Sequence, residues 1–237
     1  MRPLIAEISD TPESVARSAA TFIANAARAA VASRGKFVLA ISGGRTPWLM
    51  LRLLAAEELP WPAIYIVQVD ERVAPTDNPD RNLTHVRDCL RGSEAAGRIY
   101  PMPVEAADLV EAASEYAATL EKIAGSPPEL DLVHLGLGAD GHTASLVPSD
   151  PVLHFIAPDV ATTDVYQGRR RITLTYPIIN RARQILWVVT GSEKAPVLRR
   201  MLDGDESIPA GRVRQERASV VADEAAAAEL AVNVGRI

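Results

Sequence analysis

Residues 37–54 read FVLAISGGRTPWLMLRLL. Phe37 to Ile41 is an unbroken apolar run, as in a strand buried on both faces. Ser42-Gly43-Gly44-Arg45 reads as a tight turn. Thr46-Pro47 then opens a helix carrying Trp48, Leu51 and Leu54. A buried strand that turns sharply into a helix is the building unit of a parallel sheet. The unit recurs along the chain. Ala63 to Val69 reads as a strand ending in Asp70-Glu71-Arg72, followed by a polar loop from Thr76 to Arg81 and a helix with Leu83, Val86 and Leu90. Asp108 to Ala124 is an amphipathic helix with Leu109, Ala112, Tyr116, Leu120 and Ile123 inward, and Asp131 to Leu135 is a short buried strand. Upstream, Pro3 to Ile8 reads as a strand, and Thr11-Pro12 starts a helix that Gly35 stops. Downstream, Arg171 to Thr175 and Gln184 to Thr190 read as strands, and a helix over 193–202 takes Ser192 as its cap. Ser219 to Ala222 and the Ala-rich stretch 223–230 close the pattern as strand and helix. The expectation is an α/β fold: a mostly parallel sheet with helices on both faces, in one domain over 1–237.

Composition agrees and narrows the partners. Of 237 residues, 48% are hydrophobic and 23% charged, which excludes a disordered or fibrous chain. Lys and Arg number 25 against 30 Asp and Glu, a net charge of −5. Such a balance argues against a nucleic-acid partner, while leaving room for a local basic pocket. No apolar run approaches the ~18 residues of a membrane span. Glu7, Asp10 and Glu13 stand where a secretory leader needs its apolar stretch. Cys89 is the one cysteine, so no internal disulfide can form, which fits a reducing cytoplasm.

In parallel sheets, ligands bind beyond the carboxyl ends of the strands. Four unusual segments fall there. In Ser42–Pro47 the paired glycines let a ligand approach the backbone, and the helix start favours an anion, although a plain tight turn would read the same. Asp70-Glu71-Arg72 is either a solvated loop start or a phosphate-holding arginine. Gly136-Leu137-Gly138-Ala139-Asp140-Gly141-His142 is the most specific segment. His142 can take a proton from water near neutral pH, and Asp140 can orient its imidazole. No third and fourth ligand stand at metal-site spacing, so no metal is expected. In Gly191–Ala195, Lys194 sits against the helix dipole, a placement that an anionic ligand would justify. Arg169-Arg170-Arg171 is either a basic rim or a positive wall.

In this order, the segments resemble the 6-phosphogluconolactonase family. The matching parts are Ser-Gly-Gly-x-Thr-Pro at 42–47, Asp-Glu-Arg at 70–72, Gly-Leu-Gly-Ala-Asp-Gly-His-Thr-Ala-Ser-Leu-x-Pro at 136–148, Arg-Ile-Thr-Leu-Thr at 171–175 and Gly-Ser-x-Lys-Ala at 191–195. The resemblance implies a Rossmann-like sheet similar to that of glucosamine-6-phosphate deaminase. It implies hydrolysis of 6-phospho-D-glucono-1,5-lactone to 6-phosphogluconate, in the oxidative pentose phosphate pathway, with no cofactor. By the same resemblance His142 is the general base and Asp140 its partner. Gly43, Gly44, Arg45, Thr46, Arg72 and Lys194 are expected around the phosphate. Asp70, Asn82, Gly138, Gly141 and Arg171 are further candidates for substrate contact. The expected setting is a cytoplasmic monomer acting on a small sugar-phosphate lactone. Two positions depart from the family: Arg45 replaces its usual Ser or Thr, and Arg81-Asn82 replaces Ser-Asn.

Two other readings compete. A glucosamine-6-phosphate deaminase would share the glycine turn and the Asp-Gly-His segment, but usually has Asp-Glu-Tyr at 70–72 and Asn-Glu-Pro where this chain has Ser145 to Pro148. A sugar-phosphate-sensing domain without catalysis would need no base, yet Asp140 and His142 are both present.

Overall fold

The computed structural model describes residues 5–230. Apolar, β-branched runs form a seven-stranded sheet: β1 (Ile5–Ser9), β2 (Phe37–Ile41), β3 (Ile64–Gln68), β5 (Ile99–Tyr100), β6 (Leu132–Leu135), β9 (Ile185–Val189) and β10 (Ala218–Asp223). Their order is β1-β10-β9-β6-β2-β3-β5, and every pairing is parallel. Alternation along each strand serves two cores. Phe37, Leu39 and Ile41 face one, while Val38 and Ala40 face the other.

Helices α1 (Pro12–Arg34), α2 (Arg45–Ala55) and α3 (Asn82–Cys89) cover the first face, with Ile23, Leu51 and Val86 packed inward. Helices α4 (Leu109–Ala124), α5 (Tyr176–Arg181) and α6 (Ala195–Leu202) cover the second, with Tyr116, Ile178 and Leu198 packed inward. Thr11 accepts the Ser14 N–H at the head of α1, and Gly35 closes its end on Val31. Asp108 caps α4 by accepting the N–H groups of Val110 and Glu111. The start at Thr11 and the stop at Gly35 were legible in the sequence.

Three features differ from the sequence reading. Asp70–Arg72 is not a loop start but a strand, β4, pairing antiparallel with β8 (Arg171–Leu174), which pairs with β7 (Val160–Thr162). Three adjacent charges suggest exposure, yet both carboxylates are buried with their partners: Glu71 accepts backbone amides, and Asp70 accepts the Asn82 side-chain amide and the Ser145 hydroxyl. Ser192 caps nothing: residues Ser192–Lys194 form one 3-10 turn, and α6 begins only at Ala195. Asp223 ends β10, and residues 224–230 run in turns and a bend rather than a helix. The Asp223 carboxylate instead accepts the N–H groups of Ala226 and Gly191. The first strand spans Ile5–Ser9, and the expected residues 3 and 4 lie outside the described ones. Among the described residues no helix is long and apolar enough to cross a membrane.

The strand order positions the site. From β2 the chain steps outward to β3 and β5, then returns to β6 on the other side of β2. The connections leaving β2 and β6 therefore diverge, which opens a crevice at their carboxyl ends.

Candidate active site

The crevice receives Ser42 and Gly43 from the turn after β2 and the loop Gly136–His142 from β6. The small sheet β4-β8-β7 supplies a further wall. Together they enclose an open cleft of about 210 Å³. His142, Asp70 and Asn82 line it, as do the cations Arg72, Arg171 and Lys194. Gly43 and Gly138 supply backbone surface. Residues drawn from positions 42 to 194 thus meet around one small volume.

The Asp140–His142 pair is made as the spacing suggested. His142 Nδ1 lies 2.6 Å from Asp140 Oδ1, and the His142 N–H reaches the same oxygen at 3.2 Å. A carboxylate acceptor puts the proton on Nδ1 and leaves Nε2 as the basic nitrogen. Burial pushes the Asp140 carboxyl up. The facing His142 and hydrogen bonds from His142 and Tyr166 outweigh this and hold it below the usual range. Gly138 leaves the space the pair occupies: a Cβ there would stand 2.1 Å from His142 Nδ1 and 2.6 Å from Asp140 Oδ1.

On the opposite wall, Asn82 donates from Nδ2 to the Asp70 backbone carbonyl and to Asp70 Oδ1, at 3.1 and 3.2 Å. Ser145 Oγ donates to Asp70 Oδ2 at 2.6 Å, and Arg171 lies 4.0 Å from that oxygen. Burial lowers the proton affinity of the Arg171 guanidinium, and Asp70 opposes this. Two buried atoms of lining residues, Asn82 Oδ1 and Arg171 Nε, have no hydrogen-bond partner among the described residues. Buried polar atoms are normally satisfied, so an acceptor and a donor stand ready for a ligand. A Cβ on Gly43 would come within 2.1 Å of Asn82 Oδ1, which is why the turn is glycine there.

Other expected residues lie elsewhere. Gly44 and Arg45 are exposed at the head of α2 and do not line the cleft. The Thr46 hydroxyl is bonded to that of Thr190 at 2.9 Å, tying the helix start to the residue that follows β9. Gly141 packs its backbone on Ile208 and accepts the Ala210 N–H, so it shapes the loop from behind. The three arginines separate. Arg169 holds Asp80, Arg170 reaches the Thr163 carbonyl, and Arg171 alone enters the cleft.

This chain matches the glucosamine-6-phosphate isomerases/6-phosphogluconolactonase family over residues 10–222. It belongs to that family. Among its relatives, the 6-phosphogluconolactonase of Synechocystis sp. is 40% identical over 177 residues, covering 71% of this chain and 72% of the relative. The structure of 6-phosphogluconolactonase from Trypanosoma brucei superposes with a TM-score of 0.86 at 24% identity, over 96% of this chain and 99% of the other. A monomeric glucosamine-6-phosphate deaminase superposes at 0.79 and 22% identity, over 95% and 100%. These last two likenesses show the shared fold, as the sequence implied.

For a family member, the departure at Arg81 proves conservative for the cleft. Its side chain is buried and turned away from it, 3.6 Å from Glu71 and 3.3 Å from Glu105. Asn82 keeps the place beside Gly43. Tyr166 and His134 escaped the sequence reading, which named Glu71 only as a member of the 70–72 segment. Of the two, only Tyr166 stood near a local signal, Gly168, a residue suited to the positive φ of a two-residue hairpin turn.

Proposed function

We propose that this protein hydrolyses 6-phospho-D-glucono-1,5-lactone to 6-phosphogluconate, with water activated by His142. The observation that carries the reading is the Asp140–His142 pair at 2.6 Å on the wall of a cleft that also holds three cations. A base with one free ring nitrogen suits water attack on an ester carbonyl, and the cations suit a phosphate.

The 6-phosphate is held by Lys194 and Arg72, with the Gly43 backbone beside them. Arg171 adds a third cation. Anchoring the remote phosphate spends binding energy on orienting C1. His142 Nε2 takes a proton from water as the oxygen attacks C1. The carbonyl becomes a tetrahedral oxyanion, and its collapse breaks the bond from C1 to the ring oxygen. The protonated imidazole then gives its proton to that oxygen as the ring opens. Asp140 stabilises the imidazolium between the two transfers. Asn82 and Asp70 face the sugar hydroxyls across the cleft.

The test is turnover of freshly prepared lactone, coupled to 6-phosphogluconate dehydrogenase with the spontaneous rate subtracted. Turnover well above the spontaneous rate is expected. Ammonia release from glucosamine 6-phosphate, with no gain on the lactone, would give the site to deamination.

A further inference from the structure

Tyr166 stands at the tip of the hairpin between β7 and β8. Gln167 and Gly168 take φ of 52° and 78°, the two left-handed positions of a two-residue turn. Tyr166 and Arg169 exchange backbone hydrogen bonds of 3.0 and 3.3 Å across it. On one flank Arg169 Nε holds Asp80 at 2.9 Å. On the other the Tyr166 hydroxyl donates to Asp140 Oδ2 at 3.0 Å. The Tyr166 ring meets the His142 ring edge-on, with centroids 5.6 Å apart, and the Arg171 guanidinium lies 5.1 Å from the tyrosine centroid.

Asp140 uses its two oxygens differently. Oδ1 accepts both His142 donors, whereas Oδ2 accepts Tyr166. The Asp140 side chain is 39% exposed, so neighbouring atoms alone do not fix its plane. A carboxylate bonded at both oxygens keeps one orientation, and so does the imidazole attached to it.

We propose that Tyr166 is a positioning residue of the hydrolytic site, locking the Asp140 carboxylate through its hydroxyl and confining the His142 ring through its edge. This rests on the reading of His142 as the base. It gives the hairpin a function: a strap whose two ends grip the loop after β4 and the loop after β6.

The charge consequence has a definite sign. The hydroxyl draws on the carboxylate's negative charge, so Asp140 holds a protonated imidazole less tightly than a free carboxylate would. Arg171 faces the Tyr166 ring, and Arg72, Lys194 and Asp70 share the cleft with His142. None of these is altered by Tyr166→Phe, which keeps the ring and removes only the hydroxyl.

In Tyr166→Phe, kcat on the lactone should fall about tenfold at its pH plateau while KM stays within about twofold. The acid limb of kcat/KM should move up by about half a pH unit. The His142 ring titration, followed by NMR in the ligand-free protein, should move the same way. In an Asp140→Asn background the further loss from Tyr166→Phe should be small. Unchanged kcat and an unmoved acid limb would overturn the proposal. So would a raised KM at constant kcat, which makes Tyr166 a substrate contact, or fully multiplicative losses in the double variant. If the NMR titration moves but the wild-type protein turns over no lactone, the positioning role stands and the lactonase reading falls.

Discussion

At His142 the chemistry depends on the residue four positions earlier. Gly138 leaves the volume that the imidazole and Asp140 fill, since a Cβ there would stand 2.1 Å from Nδ1. Gly138→Ala should therefore fold and yet lose kcat by about a hundredfold, because a displacement of about 1 Å costs that much. Circular dichroism and kinetics on the same sample check both halves. His142→Ala should lower kcat about a thousandfold with KM little changed. Unchanged kcat would remove His142 from its role. Asp140 and His142 were legible because they are two apart on a glycine-framed loop after a buried strand. Tyr166 was not, because its partner Asp140 lies 26 residues away and the contact exists only once the hairpin folds over. Arg45 illustrates the converse. It sits inside a recognisable motif, yet it is exposed outside the cleft.

At the scale of elements, α3 and β4 are joined through one carboxylate. Glu71 is fully buried and accepts four N–H groups at 2.8 Å: those of Arg72, Asn82 and Leu83 from the backbone, and Gln68 Nε2. Two of them belong to the first turn of α3, which no side chain of its own cap residue satisfies. The carboxylate thus caps the helix that carries Asn82 and fixes the strand that carries Arg72. Glutamine at this position offers one acceptor oxygen and turns an amide toward donors. Glu71→Gln should destabilise the fold by about 3 kcal/mol, seen as a Tm lower by roughly 10 °C. A Tm within a degree of wild type would contradict this. Periodicity located α3 and β3 well, since both are built on apolar spacing. It misjudged Asp70–Arg72, because charge in a sequence signals exposure until the partners are known. It likewise read a helix over 223–230, where the Asp223 carboxylate instead ties the chain into turns through the Ala226 N–H.

Across the whole molecule, the site stands where β2 and β6 part, and a buried histidine lies beneath it. His134, on β6, is fully buried, and its Nδ1 accepts the Ser42 N–H at 3.2 Å, holding the start of the glycine turn. Burial pushes this imidazole down from 6.5 to about 3. Between those values the unfolded chain binds a proton that the folded chain refuses. Stability is therefore fully present above about 6.5 and is lost as pH falls toward 3. His134 should contribute about 2 kcal/mol to the loss between pH 7 and pH 5. His134→Asn keeps an acceptor for Ser42 and removes the titration, so its denaturation midpoints should depend less on pH over that interval. Equal slopes in the two proteins would count against the assignment. The sequence by itself determined the parallel sheet, the helices around it and the Asp140–His142 pair, because apolar spacing, caps and a glycine-rich loop are local signals. Only the tertiary structure decided the strand order that opens the crevice, the burial of Asp70 and Glu71, and the reach of Tyr166 across to Asp140. Those depend on which distant segments meet, and contact between remote segments leaves no period in the chain.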